Sequence, residues 1–304
     1  MVLKSNKYKY GFVVLHYNNY KDTIACVDSI LRINHRNDYY IVIVDNASSN
    51  NSFELLRSKF KGQPKTLIVL SEKNGGYSAG NNIGIRILLD MGIAQIVIAT
   101  NDTEILSTNL LDEFDKLDLS GVGIVGTDVV TPDGTQQNPP VNIPSLLYFL
   151  NLYLYKPMAK LRKGLYIILP ILKRHRHSSV AKRLKSLERS SAVLNQCSVY
   201  MLHGCFLYLT KNYLDKVGLL DENLFMYGEE DLMAWNCELH GLKRLYLPSA
   251  KILHKDGLST KEVHKEGNEE FVRIMSIKSK QYLCKKITMW KLMKIILCNW
   301  VNND

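Results

Sequence analysis

The sequence predicts an α/β protein with an open, mostly parallel β-sheet, and three observations support this fold class. Apolar, β-prone runs occupy residues 12–15, 41–44, 67–70 and 96–99. Segments with apolar residues at helical spacing lie between some of these runs. Each run leads directly into a loop rich in Asp, Asn or Gly. Because right-handed crossovers make such strands parallel, we expect all four loops to lie at one edge of the sheet.

Helical spacing predicts one helix after the first strand, with a cap at Asp22, and another after the third strand. The apolar positions are Ile24, Val27, Ile30 and Leu31 in the first helix and Ile83, Ile87, Leu88 and Met91 in the second. The segment 132–140 reads as a loop with its turn at Asp133-Gly134.

The chain becomes β-prone again at 199–209. The acidic residues 229–231 then open a helix that ends near Gly241, and a strand follows around 245–247 and leads through Pro248 to His254. An apolar stripe at 283–297 predicts a C-terminal helix that packs either on the domain or on a membrane.

Composition narrows the class of protein. With 304 residues and 46% hydrophobic content, the chain can bury a full core. Its six cysteines are scattered without C-x-x-C spacing, and the N-terminus has no signal-peptide pattern, so we expect a reducing cytoplasm. No apolar run approaches the roughly 18 residues of a membrane-spanning helix.

The positive charge is concentrated in one insert. Residues 156–189 carry eleven Lys or Arg and one acid, a balance of +10, which equals the formal net charge of the whole chain. Basic clusters beside aromatic and aliphatic runs favour an anionic membrane surface. A solvated loop is the simpler alternative. Nucleic acid is not expected as a partner, because no recognised motif accompanies the charge.

The loops after the strands contain the candidate ligand-binding residues. Asp45 can accept hydrogen bonds from a base or ribose, although an Asx-turn or a helix cap explains it equally well. The segment 74–81 has glycines that allow a ligand to approach the backbone, followed by a helix N-terminus that suits phosphate. It matches neither G-x-G-x-x-G nor a P-loop.

Asp102 ends the loop after the fourth strand and can bind a hard divalent cation that bridges a diphosphate. His254 is a second candidate ligand, although a lone histidine is more often a hydrogen-bonded or surface group. The acids at 229–231 either stabilise a helix N-terminus or supply a general base.

Six segments occur in an order that closely resembles the inverting family 2 glycosyltransferases, particularly their rhamnosyltransferase-like branch. The segments are Asp45-Asn46-Ala47-Ser48, Asn74-x-Gly76-x-x-x-Gly80-Asn81, Asn101-Asp102-Thr103, Gly204-Cys205, Tyr227-Gly228-Glu229-Glu230-Asp231 and His254-x-x-Gly257-x-Ser259. The resemblance covers roughly residues 8–260, and the basic insert matches poorly.

The resemblance implies the GT-A fold of nucleotide-diphospho-sugar transferases, with a Rossmann-like half and an acceptor-binding half. It implies that Asp102 and His254 bind Mn²⁺ or Mg²⁺. Thr100 stands where the metal-binding triplet often begins with Asp, so the cation has fewer carboxylate ligands. The implied nucleotide-sugar contacts are Tyr17, Asp45, Asn46, Asn74, Gly76, Gly80, Asn81, Asn101, Asp102 and Gly204.

The implied catalytic base lies among Glu229, Glu230 and Asp231, in one of two registers. Counting back from Gly241 favours Glu230, whereas the literal Glu-Asp pair favours Asp231. We assign Asp231 here and keep Glu230 as the alternative.

The expected function is metal-dependent, inverting transfer from a UDP- or dTDP-sugar to a glycan or lipid-linked acceptor in bacterial surface polysaccharide synthesis. We expect a cytoplasmic protein that is peripheral on the inner face of the membrane. A catalytically degenerate nucleotide-sugar-binding or scaffold protein of the same fold is the alternative. A sugar nucleotidyltransferase is disfavoured, because the first strand leads into His16-Tyr17-Asn18-Asn19 and not into a Gly-rich basic loop.

The expected domain at 1–265 comprises a nucleotide-sugar-binding half at 8–130, a basic and apolar insert at 141–190 and an acceptor half at 195–260. A helical extension follows at 266–304.

Overall fold

A computed structural model of the chain describes residues 7–33, 36–138, 197–199, 201–255 and 268–288. The expected insert at 141–190, the motif residues Gly257 and Ser259, and the tail beyond 288 lie outside the described residues.

The described residues form one mixed sheet flanked by helices. The strands are β1 Tyr10–His16, β2 Tyr39–Asp45, β3 Thr66–Leu70, β4 Ile96–Thr100, β5 Thr103–Ile105, β6 Val122–Val130, β7 Cys197–Ser198, β8 Phe206–Leu209 and β9 Lys243–His254. The helices are α1 Tyr20–Leu31, α2 Ser52–Lys59, α3 Gly76–Asp90, α4 Leu110–Asp115, α5 Lys211–Lys216, α6 Glu229–Leu239 and α7 Asn268–Lys286.

The strand order is β3-β2-β1-β4-β8-β6-β9-β5, with β7 paired to β9. Strands β1 to β4 pair in parallel, which confirms the predicted parallel half. Strand β8 is antiparallel to both β4 and β6 and therefore joins the two halves of the sheet. Strand β9 runs parallel to β6 and antiparallel to β5.

The central strands are apolar on both faces because helices cover both faces. On β1, Phe12 and Val14 lie in the cluster with α1, α2 and α4, whereas Val13 lies in the cluster with α3, α5 and α6. This arrangement explains the uninterrupted apolar runs, since a strand buried on both faces needs no polar positions.

The predicted cap of α1 was one turn too late. Asn19 is the N-cap, and its side-chain oxygen accepts from the backbone N–H of Asp22 at 3.3 Å. Asp22 lies in the first turn, where the helix dipole stabilises its negative charge. Its carboxylate also pairs with Lys255 at 2.8 Å. Both residue types are good caps, so composition alone did not distinguish them.

The described part of the C-terminal helix packs on the domain. Leu283 of α7 is buried against Leu224 and Leu232, and Lys286 pairs with Asp221 at 2.9 Å. Ser279 donates to the carbonyl of Tyr227. Helix α7 therefore supports the segment that leads into α6. Among the described residues, no helix combines the length and apolar character needed to cross a bilayer.

Candidate active site

The parallel strands end at the same level of the sheet. His16 of β1 lies beside Asp45 of β2, and Leu15 of β1 lies beside Thr100 of β4. Asp45 in turn pairs with Leu70 of β3. The polar residues that follow these strands therefore meet at one edge, which is where ligands of such sheets bind.

Asp45 is completely buried and has one unsatisfied oxygen. Its Oδ1 accepts from the backbone N–H of Ser48 at 2.7 Å, which is the Asx-turn that the sequence offered as an alternative. Its Oδ2 has no hydrogen-bond partner among the described residues, and His16 Nε2 lies 3.8 Å away. A buried carboxylate oxygen without a donor is costly, so a ligand that donates to it gains affinity.

His16 is a structural residue that the sequence analysis did not single out. Its Nδ1 lies 2.6 Å from Thr23 Oγ1, and its Nε2 lies 2.9 Å from Ser52 Oγ. Burial lowers its pKa to about 4, and the nearby Asp45 only partly opposes this shift. The ring is therefore neutral near pH 7. Asn101 donates to the same Thr23 hydroxyl at 3.1 Å, so this network extends to the loop after β4.

The loops after β1 and β2 are hydrogen-bonded to each other. The backbone N–H of Asn18 donates to Ser48 Oγ at 2.8 Å, and Asn18 Oδ1 accepts from the N–H of Ser49 at 2.8 Å. The preceding residue, Tyr17, is partly exposed at this edge. These contacts place the main chain around Tyr17 beside the loop of Asp45.

Asn46 and Asn74 use their side chains to shape the loop after β3. The Asn46 amide donates to Asn74 Oδ1 at 2.9 Å and to the Gly76 carbonyl at 3.1 Å. In return, Asn46 Oδ1 accepts from Gly75 N–H at 3.1 Å, and Asn74 Oδ1 accepts from Gly76 N–H at 3.0 Å. Both amides thus position the loop.

The glycines of this loop make room for the protein itself. Gly76 has φ +81°, and a Cβ there would lie 2.0 Å from the carbonyl oxygen of Phe225. A Cβ on Gly80 would lie 2.4 Å from Leu15 Cδ1, where α3 packs on β1. The structure therefore gives these two glycines a packing explanation, and the ligand approach that the sequence suggested stays a prediction. Nearby, Asn81 donates to the Tyr77 carbonyl at 3.0 Å, and its buried Oδ1 has no hydrogen-bond partner among the described residues.

Asp102 and His254 come together although they are far apart in sequence. Strand β5 pairs with β9 so that Thr103 lies beside His254, and the N–H of Lys255 donates to the Asp102 carbonyl at 2.9 Å. Asp102 Oδ2 lies 3.4 Å from His254 Nε2. Asp102 Oδ1 accepts from Thr100 Oγ1 at 2.6 Å, so Thr100 orients the carboxylate.

The other side of the His254 ring contacts Gln137, which the sequence analysis did not single out. His254 Nδ1 lies 2.6 Å from Gln137 Oε1. With that oxygen as acceptor, Nδ1 carries the proton and the lone pair of Nε2 faces Asp102. Two electron-rich atoms then face each other at 3.4 Å, an arrangement that a cation between them would stabilise.

The acidic segment begins α6 with its side chains in different environments. Glu230 Oε1 accepts from the N–H of Gly204 at 3.1 Å, and Tyr77 Oη donates to the Gly204 carbonyl at 2.5 Å. Glu229 is buried, and burial together with the charge of Glu230 raises its pKa to about 8. Asp231 is partly exposed.

Cys205 lies between the metal candidates and the acidic segment. Burial raises the pKa of its thiol, and the charges of Asp102 and Glu230 raise it further. The same thiol lies in a cluster with His203 and His254. Cys205 belongs to the Gly204-Cys205 motif, but neither it nor His203 was predicted to bind a ligand or metal.

The model of glycosyl transferase family 2 matches residues 12–171, more than half of the chain. The chain belongs to glycosyl transferase family 2. No curated protein matches the sequence. Membership of family 2 confirms the resemblance at the level of the family.

Solved structures similar to this family 2 chain share its GT-A fold. A crystal structure of GalNAc-T7 with UDP, GalNAc and Mn²⁺ has a TM-score of 0.55 at 14% identity, over 82% of this chain and 44% of that one. The structure of S. aureus TarS residues 1–349 has a TM-score of 0.51 at 14% identity, over 89% of this chain and 65% of that one. The complex of TarS 1–349 with UDP-GlcNAc has a TM-score of 0.52 at 14% identity, over 92% of this chain and 71% of that one. The chain thus spans less than two thirds of the length of GalNAc-T7 and of TarS 1–349 in the first two of these structures.

Proposed function

We propose that this family 2 chain is a metal-dependent, inverting glycosyltransferase that uses a UDP- or dTDP-sugar. One observation carries the proposal: a buried carboxylate with a free oxygen, an Asp-His pair and an acidic helix start occur at one edge of the sheet. One of the similar structures contains UDP, GalNAc and Mn²⁺, and another contains UDP-GlcNAc. The proposed acceptor is a glycan or lipid-linked glycan of bacterial surface polysaccharide synthesis.

In this proposal Asp45 accepts a hydrogen bond from the nucleoside through its free Oδ2. The main chain near Tyr17 borders the same space, because its loop is bonded to the loop of Asp45. Asn101 and the loop at 74–81 line the neighbouring donor region, with Asn46 acting on that loop indirectly.

The residues around Asp102 fit a divalent cation. A carboxylate oxygen and a histidine lone pair face each other, and the two outer contacts from Thr100 and Gln137 fix both side chains. When bound, a Mn²⁺ or Mg²⁺ ion would neutralise the charge of the departing nucleoside diphosphate. Asp102 and His254 would hold it.

Glu230 is the better-supported base, although the sequence analysis assigned Asp231. The Gly204 N–H orients the Glu230 carboxylate, which also acts electrostatically on Cys205 beside the Asp102 region. A carboxylate held on the metal side of α6 is well placed to accept the proton of an acceptor hydroxyl. Direct attack by that hydroxyl on the anomeric carbon inverts its configuration.

Matched isosteric variants test the base. We expect Glu230→Gln to lower kcat by at least about 100-fold and to leave donor binding within a few-fold, whereas Asp231→Asn has a smaller effect. A larger loss of kcat in Asp231→Asn than in Glu230→Gln would assign the base to Asp231. Full activity in both variants would remove the base from the proposal. Proton NMR of the product's anomeric coupling reports inversion or retention.

Donor hydrolysis tests the enzyme against the degenerate alternative. We expect Mn²⁺-dependent turnover of one or more UDP- or dTDP-sugars, lost in Asp102→Asn and His254→Ala. Binding of nucleotide-sugar without hydrolysis or transfer to any acceptor in a glycan panel would favour the degenerate binding protein.

The membrane contact of 156–189 stays a prediction, because this insert lies outside the described residues. Its charge balance of +10 supports binding to anionic lipid. Flotation should recover the protein with anionic vesicles at low salt and not with neutral vesicles. Equal recovery with both would eliminate an electrostatic membrane contact.

A further inference from the structure

A histidine and a cysteine beside the Asp102–His254 pair have no role in the proposed function. The ligand atoms of His203, Cys205 and His254 all lie within 4.8 Å of one another. Three ligands that bond one ion at about 2.0 to 2.3 Å with tetrahedral angles lie about 3.3 to 3.8 Å apart. Separations at the 4.8 Å limit would therefore have to shorten by about 1 to 1.5 Å for all three to bind one ion.

The local structure holds these side chains in place. Cys205 is buried directly before β8, where its carbonyl accepts from the N–H of Thr100 at 2.9 Å. The rings of His203 and His254 are 5.3 Å apart between centroids. The Cys205 N–H donates to His203 Nδ1 at 3.2 Å, so Nδ1 carries a lone pair beside Cys205. Coordination through Nδ1 would replace one long hydrogen bond.

Asp102 is not one of the three clustered residues, but its Oδ2 lies 3.4 Å from His254 Nε2, so it is the fourth donor of the proposed set. The set then contains two imidazoles, one thiol and one carboxylate. Mg²⁺ prefers oxygen ligands in a regular octahedron, whereas imidazole and thiolate select transition metals. Nitrogen and sulfur ligands would also replace the carboxylate that is missing where Thr100 stands.

We propose that His203 and Cys205 complete, with Asp102 and His254, a transition-metal site that binds its ion without nucleotide. The inference extends the proposed metal site but does not depend on sugar transfer. It predicts selectivity for Co²⁺, Zn²⁺ or Mn²⁺ over Mg²⁺. Binding converts the Cys205 thiol to a thiolate and releases its proton to solvent.

Cobalt alone is the probe, because thiolate bound to Co²⁺ gives a near-ultraviolet charge-transfer band. The full chain, in the absence of nucleotide, should bind one Co²⁺ with this band, and excess Mg²⁺ should not displace it. Cys205→Ser should abolish the band. His203→Ala should weaken Co²⁺ binding by at least about tenfold, since even the loss of an outer-shell partner costs 10- to 100-fold.

Two variants outside the cluster are the controls. Cys237→Ser alters another buried thiol, and His240→Ala removes an exposed histidine at the end of α6. Both should keep the band and the affinity. A wild-type protein that binds Co²⁺ without the band, or not at all, overturns the inference without any variant having to fold.

Turnover separates this inference from the proposed function. Mn²⁺-dependent sugar transfer without a Co²⁺ charge-transfer band would retain the function and reject the extra ligands. The band without turnover of any UDP- or dTDP-sugar would retain the metal site and reject the function.

Discussion

Replacing Gly76 with alanine tests how closely the donor loop is joined to the acidic segment. A Cβ at Gly76 would lie 2.0 Å from the Phe225 carbonyl oxygen, so that oxygen must move by about 1 Å to reach even 3.0 Å. The same oxygen accepts from the N–H of Tyr77 at 2.8 Å. The substitution therefore strains a left-handed residue and breaks a contact between two loops.

The expected cost follows from these two effects. A left-handed conformation costs an alanine about 1 to 2 kcal/mol. Loss of the Tyr77–Phe225 hydrogen bond adds about 1 kcal/mol or more. The lower entropy of the unfolded alanine chain acts in the opposite direction and stabilises the variant by about 0.4 to 1 kcal/mol. We expect a net loss of about 2 kcal/mol.

Gly62 is the matched control, because its φ of +82° equals that of Gly76 within a degree and a Cβ there meets nothing within 4 Å. Gly62→Ala thus introduces the left-handed backbone strain without a steric contact. Urea unfolding of both variants, read by circular dichroism, gives the difference. We expect Gly76→Ala to be less stable by about 1 to 2 kcal/mol and to show a lower kcat. Equal losses in the two variants would refute the close contact.

Three further predictions concern single groups. Asp45→Ala should weaken nucleoside diphosphate binding by roughly 10- to 100-fold with or without metal, measured by calorimetry, and an unchanged affinity contradicts its proposed role. Gln137→Ala should lower metal affinity by about 10- to 100-fold, whereas the neighbouring Gln136→Ala should not. Because the pKa of Glu229 is raised from 4.5 to about 8, its folded state binds the proton more tightly, so stability falls as pH rises through this window. Glu229→Gln should flatten that dependence in unfolding experiments, and an unchanged slope would contradict the raised pKa.

The parallel half of the fold could be predicted because its signals are local. Strands β1 to β4 are continuous apolar runs, and α1 and α3 have clear helical spacing. The order of the second half could not be predicted in this way. Strand β8 lies between β4 and β6 through contacts such as Ile96 with Leu209 and Ile124 with Leu209, which join residues far apart in the chain. Periodicity carries no information about such pairings.

The candidate site likewise contains residues that could be proposed from the sequence and residues that only the structure reveals. Asp45 and Asp102 could be proposed from the sequence because Asp45 ends β2 and Asp102 follows β4 by two residues, each in a recognisable motif. Gln137 and His203 were not, since their proposed roles depend on how close they lie to His254, a residue on a distant strand. Gly76 and Gly80 were recognised from their motif. The atoms that leave no room for a side chain at these positions belong to Phe225 and Leu15, which the motif does not reveal.

The two halves of the site are joined by a short series of contacts. Tyr77 begins α3 in the donor loop and donates to the Gly204 carbonyl, while the Gly204 N–H donates to Glu230. On the far side, a Cβ at Gly228 would lie 2.8 Å from Ser279 Cβ of α7. A shift of the donor loop must therefore displace either the proposed base or the helix behind it. Close packing makes such a displacement costly, so the donor region and the proposed base are held in one fixed geometry before any substrate binds.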